Sequence, residues 1–79
     1  MYVYILKSKK DQSQYVGMSE EPERRLQKEH NAGKVKSTKS KMPWEIVYTE
    51  YYHTIAEARQ REKYLKSAAG RRFRKSLGV

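Results

Sequence analysis

The sequence predicts a small α/β (α+β) domain on a three-stranded antiparallel or mixed sheet, ordered strand, strand, helix, strand, helix, helix. Three observations carry that expectation. Aromatic and β-branched residues crowd into three short runs, YVYILK at Tyr2 to Lys7, QYVGM at Gln14 to Met18 and WEIVYTEYY at Trp44 to Tyr52. Helix-start signals stand after the second and third runs. The chain has 79 residues, enough for one domain, 1–79, near the lower size at which a core is self-sufficient.

Each element follows from its local chemistry. The first two runs are close enough to pair as an antiparallel hairpin. No Gly interrupts Lys9 to Ser13, so a loop of several residues is expected there rather than a tight turn. Ser19 has the features of a helix N-cap, with Pro22 in the first turn and Glu20, Glu21 and Glu23 at the positive end of the helix dipole. That helix should run to about Asn31 and stop at Gly33. Lys34 to Met42 reads as an exposed basic loop closed by Pro43. In the third strand, simple alternation puts Trp44, Ile46, Tyr48 and Tyr52 on one face and Val47, Thr49 and Tyr51 on the other. Furnished on both faces, that strand is expected at the sheet centre. Thr54 with Glu57 matches a capping box for a second helix reaching about Ser67. Ala68, Ala69 and Gly70 mark a break before a short helix from Arg71 to Leu77.

Charge points to a polyanion. Eighteen Lys and Arg oppose nine acids, for a net charge of +9, which favours phosphate contact and counterion release. The signs are separated: Lys34, Lys36, Lys39 and Lys41 form one acid-free stretch, and Lys63, Lys66, Arg71, Arg72, Arg74 and Lys75 another. A basic face for nucleic acid is the expectation, with Lys34, Lys36, Lys39, Lys41, Lys66, Arg71 and Arg72 as contact residues. There are no cysteines, and no apolar run nears the ~20 residues of a membrane span. A cytoplasmic protein, monomeric or weakly dimeric and with room for a protein partner, is expected.

Two positions break the pattern. On the second helix Ile55, Ala58 and Leu65 form an apolar stripe, and Glu62 falls within about 20° of Ile55 on it. A carboxylate there is costly unless paired or bound to a metal. As residues alone, an edge Glu paired with Arg59 or Lys66 is the better reading. Its neighbours Arg59, Arg61 and Lys63 are placed for solvent or anion contact. Gly17, inside a strand, marks a bulge or a close backbone approach, and Tyr15 beside it could direct its hydroxyl into a cleft.

Taken in order, these features resemble the GIY-YIG nucleases. Val3-Tyr4-Ile5 followed by Tyr15-Val16-Gly17 is similar to the two motifs that name the family. Glu23-Arg24-Arg25-Leu26 with His30-Asn31-Ala32-Gly33-Lys34 resembles its first-helix block, and Glu57 to Lys66 its metal-binding block. Lys36-Ser37-Thr38-Lys39, Pro43-Trp44 and Gly70-Arg71-Arg72 are similar to the small stand-alone bacterial members. The family also includes the N-terminal nuclease domain of the bacterial excision-repair incision protein.

The resemblance implies roles. Tyr4 and Tyr15 would be the motif tyrosines, one of which helps deprotonate the attacking water. Arg25 would contact phosphate, His30 would stand near the nucleophile, Gly17 would be structural, and Glu62 would be the sole acidic ligand of Mg²⁺ or Mn²⁺. The implied reaction is metal-dependent endonucleolytic hydrolysis of DNA phosphodiesters, structure- or damage-directed as in repair or recombination. The alternative is a non-catalytic nucleic-acid-binding module that keeps the fold. Three departures stand out: Tyr2-Val3 replaces Gly-Ile, Met18 stands where several relatives carry Lys, and His30 follows Arg25 by five residues where the family has four. On an ideal helix five residues separate two side chains by about 140°. Either the helix end is distorted, or Arg24 takes part of the role, or His30 is a solvent-facing residue at the helix C-terminus.

Overall fold

The computed structural model describes residues 1–78. Strands β1 (Tyr2–Ser8) and β2 (Gln14–Ser19) form the expected hairpin, and β3 (Trp44–Tyr51) pairs on the other side of β1. Both pairings are antiparallel, so the sheet is antiparallel throughout, in the order β2-β1-β3. The helices are α1 (Pro22–Arg25), which continues as a π-helical turn over Leu26–His30, then α2 (Lys36–Lys39), α3 (Ile55–Lys66) and α4 (Ala68–Ser76).

The centre of the sheet is β1, not β3. Val3, Tyr4, Ile5 and Leu6 are all at most 1% exposed, because β1 has a strand on each side and a helical layer on each face. Val3 and Ile5 join Val16, Ala58 and Leu65 under α3 and α4. Tyr4 and Leu6 join Trp44 on the side of the first helix, with Tyr15, Leu26, Met42 and Ile46 packed around them.

The alternation expected for β3 fails midway. Its register against β1 slips between Ile5 and Leu6: Ile5 faces Tyr48 but Leu6 faces Ile46. Val47 is the extra residue of a β-bulge, which reverses the side-chain alternation. Trp44 and Ile46 therefore pack with Tyr4, while Val47, Tyr48 and Tyr52 pack with Val3 and Ile5. The reversal turns Glu50 toward α3. There Arg61 donates to both of its oxygens, Nε at 2.9 Å and Nη2 at 3.0 Å, and the Tyr48 and Tyr52 hydroxyls donate to it as well. Arg61, expected to face solvent, instead clasps α3 to β3, with its guanidinium over the Phe73 ring at 4.9 Å.

Other local signals shift by a few residues. Five residues, 9–13, link β1 to β2, and Ser8 Oγ organises them by accepting from the Lys10 and Asp11 amides. The first helix begins at Pro22, after Glu21 in extended conformation. Ser19 ends β2 and accepts from the Glu21 amide at 3.0 Å, closing a local turn rather than capping the helix. Gly33 stops it as expected, at φ 74°. Thr54 does cap α3, accepting from the Glu57 amide at 3.1 Å. Ile55, in the first turn just after that cap, is 52% exposed and not part of the apolar stripe, which consists of Ala58 and Leu65.

The break between the last helices is a single residue. Ser67, at ψ 173°, ends α3 and caps α4 by accepting from the Gly70 amide, so Ala68 to Gly70 lie inside α4. Gly70 is where α4 turns back onto α3. A Cβ there would stand 2.0 Å from the Tyr64 carbonyl oxygen and 2.4 Å from Leu65 Cα. Both neighbours are backbone, so Gly70→Ala must push the helices apart. A loss of about 1–3 kcal/mol or more is expected, read as a lower midpoint in thermal or urea unfolding. An unchanged midpoint would mean that the α3–α4 junction is not close-packed.

Candidate catalytic site

The π turn decides the geometry of the first-helix block. The Asn31 amide donates to Leu26 O at 2.8 Å and the Lys34 amide to Glu29 O at 2.9 Å, five residues back in each case. A π turn accommodates one more residue per turn than an α-turn. The five-residue interval from Arg25 to His30 therefore closes about one turn rather than overshooting it. Of the alternatives the sequence left open, the distorted helix end is the one found. His30 is not solvent-facing: it is 0% exposed.

Around His30 the buried polar groups are matched. Its Nε2 lies 2.9 Å from the Tyr4 hydroxyl and its Nδ1 3.0 Å from Thr38 Oγ1. The Tyr15 ring meets the imidazole edge-on at 5.2 Å between centroids and Trp44 at 6.3 Å. Lys34 to Met42, expected as an exposed loop, contains α2, whose Thr38 is 0% exposed. The Trp44 indole N–H donates to Thr38 O at 2.8 Å, and the Asn31 side chain brackets the Trp44 backbone with bonds of 2.7 and 3.0 Å. Thr38 and Asn31 are the residues that sequence reasoning missed. The only signal was a Thr among lysines and an Asn before Ala32-Gly33.

Gly17 sits directly under the Tyr4 ring. A Cβ at that position would lie 2.6 Å from the Tyr4 hydroxyl oxygen and 2.7 Å from its ring carbon Cζ. The close backbone approach read from the sequence is thus a ring lying on the neighbouring strand, and any side chain at residue 17 would displace Tyr4 from His30.

Arg25, on the same first helix as His30, and Glu62, on α3, both act on Tyr4 through their charges. Burial pushes the Tyr4 phenol up to about 12; the charge of Arg25 opposes that shift, while Tyr15, Glu29 and Glu62 add to it. One hydroxyl therefore lies within electrostatic reach of the motif residues from β2, the first helix and α3. Burial also lowers the His30 pKa, assisted by Arg25 and opposed by Glu29. Arg25 stands 3.7 Å from Glu29, too far for a hydrogen bond, and its buried Nε has no hydrogen-bond partner. A buried donor left open calls for an acceptor from outside. Glu62, on the Ala58–Leu65 stripe, has a side chain only 19% exposed and pairs with Lys66 at 3.6 Å. Lys66 Nζ also lies 5.8 Å from the Tyr15 ring centroid. The ordinary ion pair read from the sequence is present, and it sits beside the motif tyrosines.

All seven expected contact residues, Lys34, Lys36, Lys39, Lys41, Lys66, Arg71 and Arg72, are exposed; Lys41 pairs with Asp11 at 3.5 Å and Lys66 with Glu62. Met18 faces away from the site and packs with Val3 and Ile5. An open groove of about 460 Å³ lies between Tyr2, Pro22, Ile46 and Thr49; Glu23 and Arg24 of the first-helix block line it, but Tyr4, Tyr15, Arg25, His30 and Glu62 do not.

With the geometry in place, the comparisons are decisive about kinship. Residues 1–75 match the GIY-YIG catalytic domain. The chain belongs to the GIY-YIG family. It is similar to a UPF0213 protein of Clostridium perfringens, 40% identical over 82% of this chain and 69% of that one. A UPF0213 protein of Staphylococcus saprophyticus is 39% identical over 84% and 79%, and one of Natronomonas pharaonis 42% identical over 84% and 76%. No solved structure matches the chain significantly. This GIY-YIG chain is therefore of nuclease type, in the small form of its UPF0213 relatives, and its described residues include no helix long and apolar enough to cross a membrane.

A buried neutral imidazole makes the fold acid-sensitive. Because burial holds His30 below its ordinary 6.5, the unfolded chain binds the proton first as pH falls. Stability is therefore full above that ordinary value and is lost progressively below it. Melting temperatures should drop between about pH 7 and about pH 5 in the wild type. His30→Gln, which cannot take the charge, should melt lower overall but with a flatter profile. Parallel profiles would assign the sensitivity to another group.

Proposed function

We propose that this protein is a divalent-metal-dependent endonuclease that hydrolyses DNA phosphodiesters, structure- or damage-directed and serving repair or recombination. The observation that supports it most is the Tyr4 hydroxyl, hydrogen-bonded to His30 and within electrostatic reach of Arg25, Tyr15 and Glu62. Residues from β1, β2, the first helix and α3 that the family resemblance assigns to one site thus act on a single buried hydroxyl.

The chemistry follows from their states. Hydrolysis forms a bond from water oxygen to phosphorus and breaks the bond to the leaving oxygen, and the water must lose a proton. A phenol held at about 12 is scarcely ionised at neutral pH. Tyr4 would serve as a relay once bound substrate opens its hydroxyl, on a side chain 1% exposed, to water: it would take the water's proton while passing its own to His30, which burial holds below its ordinary pKa. Tyr15, less buried than Tyr4, orients the water. Arg25, its side chain 34% exposed and its buried Nε without a partner, would turn its guanidinium to a phosphate oxygen and offset its charge. Exposed Lys34, Lys36, Lys39, Arg71 and Arg72 hold the backbone on either side, as the +9 charge favours.

Among the described residues no group of three or more His, Cys, Asp or Glu is placed to hold a metal ion. A single carboxylate fits an ion that keeps most of its waters and takes phosphate oxygens, which is the habit of Mg²⁺ and, in similar octahedral form, Mn²⁺. Glu62 would hold it, freed from a half-exposed Lys66 whose pairing is weak. When bound, the ion supplies charge stabilisation at the phosphate and leaving oxygen.

The alternative, a binding module without catalysis, draws on that same Glu62–Lys66 pair, which neutralises the carboxylate within the chain. The two readings separate on one panel of duplex, nicked, flapped and four-way DNA, with and without Mg²⁺ or Mn²⁺. Wild type should cut at least one substrate only with metal. Glu62→Ala should lose that cleavage by 100-fold or more, on the order expected when a transition-state charge loses its counter-charge, while its binding changes little. Binding without cleavage of any DNA by the wild type would favour the module.

A further inference from the structure

Which nitrogen of His30 carries the hydrogen decides whether it can accept a proton from Tyr4. Four groups lie in series: the Tyr4 hydroxyl, the two ring nitrogens of His30, Thr38 Oγ1 and the Val35 carbonyl. The separations are 2.9 Å from Tyr4 to Nε2, 3.0 Å from Nδ1 to Oγ1, and 3.3 Å from Oγ1 to Val35 O. The end of the series can only accept. Thr38 has one hydroxyl hydrogen, and donating it to Val35 O leaves only lone pairs facing His30. Nδ1 must then be the N–H, and Nε2 is left bare to accept from Tyr4. Three hydrogens meet three acceptors. In the reverse order Val35 O still keeps the Thr38 and Lys39 amides, but the Tyr4 hydrogen loses Nε2, its hydrogen-bond acceptor.

We infer that Thr38 is a positioning residue that holds neutral His30 as its Nδ1–H tautomer, with the Nε2 lone pair directed at the Tyr4 hydroxyl. Thr38 is built for constancy: it is 0% exposed, its carbonyl is held by the Trp44 indole, and Asn31 anchors the Trp44 backbone. Its position eight residues after His30, on a separate short helix, makes it a partner supplied by the fold rather than by the motif. A hydrogen-bond partner that orients a working imidazole is worth about 10- to 100-fold in metal sites of comparable build. The consequence for cleavage rests on the proposed nuclease reading; the tautomer does not.

The test is ¹⁵N NMR of the His30 ring in the intact chain at neutral pH, for wild type, Thr38→Val and Thr38→Ser, beside DNA cleavage by the same proteins. Wild type and Thr38→Ser should show Nδ1 protonated and Nε2 bare. Thr38→Val offers Nδ1 no acceptor, so the population should move to Nε2–H donating to the Tyr4 oxygen. Cleavage should fall by about 10- to 100-fold in Thr38→Val and be rescued in Thr38→Ser. The serine variant separates loss of the hydroxyl from loss of packing. Nε2 protonated in the wild type, or an unchanged tautomer in Thr38→Val, overturns the inference, as does wild-type cleavage by a Thr38→Val protein with inverted tautomer. A wild type that cuts nothing yet shows Nδ1–H defeats the proposed function while supporting the tautomer assignment.

Discussion

The buried contact between the Tyr4 hydroxyl and His30 is the constraint around which the rest of the site is arranged. It joins the central strand to the first helix across the sheet face, and two backbone features permit it. Residue 17 must lack a side chain, because the Tyr4 ring occupies the space a Cβ would need. The first helix must also widen by one residue, because a uniform α-helix would turn His30 about 140° away from Arg25. The π turn supplies that residue. Without either feature, Tyr4 would hold a hydroxyl in a dry core with no partner, at a cost of about 1–3 kcal/mol.

A second constraint works on the opposite face. The bulge at Val47 reverses β3 halfway along, so one strand supplies Trp44 and Ile46 to the site layer and Tyr48, Glu50 and Tyr52 to the α3 layer. Glu50 then receives both nitrogens of the Arg61 fork and two tyrosine hydroxyls. A charge pair this well satisfied fixes the rotation of α3 about its axis. On the same helix Glu62 pairs with Lys66, whose Nζ lies 5.8 Å from the Tyr15 ring centroid.

Much of this was legible in the residues. Strand propensity and spacing predict the hairpin and the third strand, and Thr54 and Gly33 mark real helix ends. Gly17 signals a close approach before the approaching group is known. What was hidden depends on features with no local signature. The Val47 bulge is set by pairing with β1, not by β3's own pattern, so the alternation read from β3 holds through Val47 and fails from Tyr48. Ile55 belongs to the helical period but lies in the first turn, exposed, so periodicity overstates the stripe. Arg61 reads as a solvent residue because its partner, Glu50, faces it only after the bulge. Thr38 looks like part of a basic loop, and only the folded chain places its hydroxyl against His30. The five-residue interval from Arg25 was a visible anomaly, and it marked the π turn.

The division of labour between the two layers explains why site and stability are hard to separate in so small a chain. Under α3 the core is apolar, built on Val3, Ile5, Val16, Ala58 and Leu65. On the site side the buried set includes His30, Thr38 and Ser8 beside Tyr4, Leu6 and Trp44. That layer is ordered by directional bonds rather than by area alone. Such networks specify one arrangement when every member is matched and become costly when one is lost. Beside that layer the buried Arg25 Nε has no hydrogen-bond partner. Truncations here report on folding and on chemistry at once, whereas isosteric changes that move a single hydrogen report on the chemistry.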